Sequence, residues 1–124
     1  MPTRERVQEF IATVESGDHV GAIERFYTED ASMQENSAMP RMGRALLAEF
    51  EKSALARLKQ MKTRKVKTWL LDGDHVVINW VFEMTGHNGH IRILDELALQ
   101  EWNGDRIQHE RFYYDSARLK QHVA

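Results

Sequence analysis

WLLDGDHVVINWVFEMTGHNGHIRILDELALQEWNGDRIQHERFYYD, residues 69–115, decides the fold. Apolar and polar residues alternate through it, the period of strands that each bury one face. Asp72-Gly73-Asp74, Gly86-His87-Asn88-Gly89 and Asn103-Gly104 interrupt the alternation, and each is a turn signal that joins two strands as a hairpin. The expected result is a consecutive antiparallel sheet over Arg64 to Leu71, His75 to Thr85, His90 to Trp102 and Arg106 to Asp115.

Three-residue turns with Gly89 and Gly104 in the left-handed region would fix the registers. Val76, Ile78, Trp80, Phe82 and Met84 then share a face with Leu94, Glu96, Ala98 and Gln100, and with Gln108, Glu110, Phe112 and Tyr114. Ile107, His109, Arg111 and Tyr113 fall on the other face with Leu97 and Leu99, where Asp95 and Arg111 are placed to pair. A register slip of one residue would exchange every assignment.

Upstream of the sheet the period is helical. Thr3 caps a helix carrying Val7, Phe10, Ile11 and Val14, which Gly17 ends. Asp18 caps a shorter one with Val20, Ile23, Phe26 and Tyr27 inward. A short extended piece, Ala31 to Asn36, and a loop through Met39, Pro40 and Gly43 lead to a third helix. That helix should run from about Arg44 to Gln60, with Leu47, Phe50, Ala54, Leu58 and Met61 on one stripe. Helices first and meander second is an α+β order, here one domain over 1–124. Three helices can cover only part of a long curved sheet, which leaves a cone-shaped barrel with an internal pocket. The second sheet face is also partly apolar, so a homodimer through the sheet is expected.

Composition narrows the function classes. With 42% hydrophobic and 29% charged residues the chain is an ordinary globular one, and its net charge of −2 gives no field to recruit nucleic acid. Arg57, Lys59, Lys62, Arg64, Lys65 and Lys67 form one basic cluster, read either as an anion-binding patch or as the solvated end of the third helix. No segment approaches the roughly 20 apolar residues of a membrane span, and no apolar stretch of a secretory leader follows Met1; a cytoplasmic location is the default. There is no cysteine. His87 and His90 flank a turn without a third ligand, no glycine-rich phosphate loop exists, and neither metal nor cofactor is expected.

The informative feature is a pair of acids on an aromatic wall. Glu96 and Glu110 share the inward face and are expected nearly opposite each other across the last hairpin, where like charges repel and one holds its proton. Such a dyad suits general acid/base chemistry on a small hydrophobic, carbonyl-containing ligand. Trp80, Phe82, Phe112 and Tyr114 would supply the walls, Gln100 and Gln108 would orient the ligand, and Glu35 and Asn36 would complete the polar set. The structural alternative is that Glu96 ion-pairs with the helical layer and Glu110 accepts backbone hydrogen bonds near Pro40.

The segments Glu24-Arg25-Phe26-Tyr27-Thr28-Glu29-Asp30-Ala31, Pro40-Arg41-Met42-Gly43-Arg44, Gly104-Asp105-Arg106-Ile107 and Arg111-Phe112-Tyr113-Tyr114-Asp115 together resemble the nuclear transport factor 2-like superfamily. Within it the chain is most similar to the SnoaL-like polyketide cyclase and ketosteroid isomerase branch. The resemblance implies a cone-shaped α+β barrel, frequently dimeric through its sheet, with a hydrophobic pocket between sheet and helices. Members isomerise steroids, cyclise polyketides, hydrate or dehydrate small molecules, or only bind. By the same resemblance, Glu110, Phe112 and Tyr114 on the last strand look into the pocket. A ketosteroid isomerase-like site would use an early carboxylate base, to which Asp30 is the nearest acid. A polyketide cyclase-like site would pair an acid with a histidine, and His109 is the one beside Glu110.

Overall fold

The computed structural model describes residues 1–119, so the last residues of the domain expected over 1–124 lie outside the described residues. Two helices come first, α1 (Arg4–Glu15) and α2 (His19–Phe26). Strand β1 (Tyr27–Glu35), the short β2 (Arg41–Met42) and α3 (Arg44–Ala56) follow. The remaining strands are β3 (Leu58–Thr63), β4 (Trp69–Asp72), β5 (His75–Gly86), β6 (Ile91–Asn103) and β7 (Arg106–Tyr113), closed by a single turn, α4 (Ser116–Leu119). The strands form one curled sheet in the order β2-β1-β7-β6-β5-β3, with β4 pairing the other end of β5.

Local chemistry fixes the helical corner. Thr3 accepts from the Arg6 N–H at 3.1 Å, and Asp18 accepts from the Gly21 N–H at 2.9 Å, each satisfying a donor the helix leaves open. Phe10 of α1 is the hub of the core. Its ring meets those of Phe26 at 5.4 Å and of Tyr27, Trp80 and Trp102 at 6.1 Å, all edge to face. Val7, Ile11, Val14, Ile23, Val76, Ile78 and Ile107 close around it.

Several expectations need correction. The third helix stops at Ala56, and Leu58 and Met61 lie on β3, opposite Gly86 and Met84 of β5. Beyond Arg57 the chain gains more by supplying a partner to the open edge of β5 than by one further helical turn, so pairing overrides the helical stripe. The first long strand is likewise split, since 64–68 connects β3 to β4. The basic cluster therefore decorates β3 and the connection after it; lysines along an edge strand discourage pairing with another chain. Finally, the sheet is not a pure antiparallel meander. Tyr27 leaves α2 in an extended conformation and opens β1, which runs parallel to β7.

The turns follow expectation at their glycines, with φ of 84° at Gly89 and 63° at Gly104. The last hairpin nevertheless carries a bulge: Glu101 pairs His109 while Trp102 pairs Ile107, leaving Gln108 as the extra residue. The bulge turns Ile107 inward, where it is fully buried, against its expected place on the outer face. The predicted opposition of the two acids does not occur on either side of the bulge. Glu110 pairs with Gln100, and Glu96 faces Trp80 across the β5–β6 ladder. The outer-face pair Asp95–Arg111 is absent as well: Asp95 accepts from Asn79 at 2.8 Å, and Arg111 donates to the Asn36 carbonyl at 2.8 Å.

Candidate active site

The sheet curls around α1–α3 and leaves a cavity of about 370 Å³, at the lower end of the range for small-molecule pockets. Phe10, Trp80, Phe82 and Phe112 form much of its apolar wall, with the Trp80 and Phe82 rings stacked 5.8 Å apart. Glu35, Glu51, Glu96 and Glu110 bring carboxyls to the same space. Sequence alternation therefore placed both central acids correctly, although not opposite one another.

Glu110 sits at the centre of a directional chain of hydrogen bonds. The Trp102 indole N–H donates to Gln100 Oε1 at 3.0 Å, and Gln100 Nε2 donates to Glu110 Oε2 at 2.6 Å. The indole can only donate, so it fixes which way the Gln100 amide faces. On the other carboxylate oxygen, Glu110 Oε1 accepts from the Tyr27 hydroxyl. Tyr27 is held at the helix-to-strand junction by its own carbonyl, which accepts from Arg44 Nη1 and Arg106 Nη1, each at 3.0 Å. Burial pushes the Glu110 carboxyl up to about 7; the Tyr27 and Gln100 hydrogen bonds pull against that rise, and the charge of Glu51 adds to it. Burial also holds the Tyr27 phenol well above its ordinary value, reinforced by Glu110, so this hydroxyl stays a donor.

Glu96 is the opposite case. It is 6% exposed and faces the cavity, yet its carboxyl has no hydrogen-bond partner among the described residues. Burial raises it to about 8, with further contributions from the charges of Glu110, Glu35, Glu51 and Asp95. At neutral pH Glu96 is thus mostly a neutral acid while Glu110 divides between its two forms. Neither structural alternative holds for these two groups. Glu96 makes no ion pair among the described residues, and the side-chain partners of Glu110 are Tyr27 and Gln100 rather than backbone near Pro40.

The other expected residues divide. Glu35 lines the cavity and is anchored by Arg41 Nη1 at 2.8 Å and by the Tyr114 hydroxyl at 3.3 Å. Tyr114 thus acts through Glu35 rather than on the cavity wall. Gln100 is completely buried behind Glu110 and orients that carboxyl, not a ligand. Gln108, displaced by the bulge, does not reach the cavity. Asn36 does not either: at φ 50° it ends β1 and accepts from the Tyr114 N–H at 3.0 Å. His109 points to the outer face, where its Nδ1 lies 2.7 Å from Ser32 Oγ, and Asp30 accepts from Thr28 at 2.9 Å.

Sequence reasoning missed six polar groups of the cavity: His19, Tyr27, Arg41, Glu51, Arg57 and Arg92. Burial lowers the His19 imidazole below its usual value, opposed by Asp18, so a neutral ring faces the cavity edge-on to Phe82. Burial raises the Glu51 carboxyl, Arg41 opposing and Glu35 adding. A signal for Glu51 existed, since it stands one helical turn after Leu47 on the inward side of α3. Tyr27 was legible as inward, and a buried phenol needs an acceptor. No group of three His, Cys, Asp or Glu side chains among the described residues is arranged to hold a metal ion, and no described helix is long and apolar enough to cross a membrane.

Comparison with known proteins agrees with this architecture. A search of curated proteins found no match. Among solved structures, a proposed polyketide cyclase from Pseudomonas putida KT2440 superposes with a TM-score of 0.81 at 18% identity, covering 99% of each chain. A proposed SnoaL-like polyketide cyclase from Mesorhizobium loti gives 0.77 at 22% identity over 92% of this chain and 100% of its own. A protein of ketosteroid isomerase-like fold from Catenulispora acidiphila, solved with trimethylamine, gives 0.78 at 18% identity over 94% of this chain and 90% of its own. At these identities the likeness is one of fold. The family description "SnoaL-like domain" matches residues 7–110, and the chain belongs to the SnoaL-like domain family.

Proposed function

We propose that the protein is a cofactor-independent acid/base enzyme acting on a small hydrophobic molecule with an enolisable carbonyl, in the manner of an isomerase, cyclase or hydratase. One observation carries this reading: two buried carboxyls of different environment face one aromatic cavity, Glu110 held between Tyr27 and Gln100 and Glu96 without a partner among the described residues. The clamped Glu110 is the stronger acid of the two and supplies the base. It removes the proton on the carbon next to the carbonyl, and the electron pair of that C–H bond moves to form the enolate. Glu96, protonated, gives its hydrogen to the developing oxygen. Return of a proton from Glu110 to carbon, at the same or another position, while the enol O–H gives its hydrogen back to Glu96 and the carbonyl re-forms, completes the cycle.

The test is exchange of α-protons in D2O, followed by NMR on a panel of aryl ketones. Wild-type protein exchanges them; Glu110→Gln loses exchange while keeping the fold, and Glu96→Gln slows it. Full exchange by the double variant refutes the reading. A second reading, a binding module without chemistry, is favoured by one observation: both oxygens of Glu110 already have donors. That reading requires that no ketone exchanges while binding persists.

The outer sheet face belongs to the same reading as the seat of a second copy. Leu97, Leu99 and Tyr113 are exposed there on adjacent strands, and an isologous contact would cover all three in both copies. Sedimentation of wild type as a dimer and of Leu97→Arg as a monomer is the expected outcome; a monomeric wild type excludes it.

A further inference from the structure

Two arginines at the cavity mouth are unused by the chemistry above. Arg57, the residue that ends α3, and Arg92, near the start of β6, both line the cavity. Among the described residues neither side chain makes an ion pair, a hydrogen bond or a contact with an aromatic ring. Most other arginines here are spoken for: Arg41 by Glu35, Arg64 by Glu83, Arg44 and Arg106 by the Tyr27 carbonyl.

Register puts both arginines on one rim. Arg92 pairs with Met84, and Leu58, the neighbour of Arg57, pairs with Gly86 two residues further along β5. His87 in the adjoining turn lies 3.3 Å from the Ala56 carbonyl, which ties that turn to the end of α3. Alternation turns Arg92 inward with Leu94 and Glu96, so it is a cation on a face whose neighbours are Met84 and Leu94. Arg92 is half-buried and Arg57 exposed, so both guanidiniums meet solvent at the mouth and are free to meet an anion there.

The cavity is therefore polar at both ends. Glu96 lies four positions along β6 from Arg92, about 13 Å of strand, with Leu94 inward between them. We propose that the ligand is an elongated apolar carbonyl compound ending in a carboxylate, its body along the aromatic wall and its anion between Arg57 and Arg92. This rests on the acid/base reading for the inner end only. Of the inner acids, Glu35 is paired with Arg41, and Glu96 carries its proton at neutral pH. Guanidinium groups suit the outer end because their planar donors match a carboxylate in two-point contact.

The probe is 4-(2-naphthyl)-4-oxobutanoate, compared with its methyl ester, and binding is read by quenching of tryptophan fluorescence. The acid is expected to bind about tenfold more tightly than the ester, an advantage that shrinks as salt is raised. Arg57→Gln with Arg92→Gln should remove that advantage and leave ester binding within about twofold, and Arg92→Lys in place of Arg92→Gln should restore part of it. An acid that binds no better than the ester, or a double variant that weakens both alike, overturns the proposal. Exchange of the ketone α-protons is followed in the same samples. Its persistence with the ester after the acid preference has failed would leave the acid/base reading standing, whereas no exchange by the wild-type protein with the acid preference intact would overturn the acid/base reading alone.

Discussion

The unpartnered Glu96 should make the protein less stable as pH rises. Its carboxyl is raised in the folded state from an ordinary 4.5 to about 8, so folding favours the protonated form. The stabilisation is fully present below the unfolded value near 4.5 and is lost as pH climbs through the folded value near 8. At about 1.4 kcal/mol per pH unit, that interval sets a ceiling of about 5 kcal/mol. Side-chain relaxation and water entering the cavity reduce the working figure to about 2–3 kcal/mol. Glu96→Gln keeps the shape and removes the titration. Urea unfolding followed by tryptophan fluorescence should find variant and wild type within about 1 kcal/mol at pH 5 and the variant more stable by about 2–3 kcal/mol at pH 8.5, with unchanged slopes. Two pH profiles that run parallel over this range would refute the claim that Glu96 is buried without a partner.

Three further outcomes follow from the site and its supports. Tyr27→Phe removes a hydrogen bond that lowers the Glu110 pKa, so the acidic limb of the exchange-rate profile should move upward in pH from near 7, at a stability cost of about 1–2 kcal/mol. Trp102→Phe leaves Gln100 Oε1 without its donor and frees the amide to turn; unfolding measurements should show a loss of about 1–3 kcal/mol, and the same rate profile should broaden. Gly43→Ala should cost about 1–3 kcal/mol in urea unfolding although nothing lies within 4 Å of the added methyl, because the residue stands at φ 99° where α3 begins.

Alternation in residues 69–115 and the turn glycines were enough to establish the α+β order, the long β5–β6 hairpin and the inward direction of Glu96, Glu110, Trp80 and Phe82. These are local properties: a period of two assigns faces without knowledge of what covers them. The parallel pairing of β1 with β7 was not legible, because it joins residues some 80 positions apart and leaves no local trace. Nor was the bulge at Gln108, which moved Ile107 inward. The end of α3 was misread for a related reason, since its helical stripe continued into residues that the edge of β5 recruited as a strand.

The sequence by itself thus determined that two acids would share a dry face with aromatic rings. Only the tertiary structure decided their environments. Tyr27, at the junction of α2 and β1, reaches one carboxylate and no described side chain reaches the other, and His19, Arg41 and Glu51 join the same cavity from three different elements. The physical reason is that a side chain's face follows from its neighbours in sequence, whereas its charge state follows from the solvent it loses and the partners it gains when distant segments close around it.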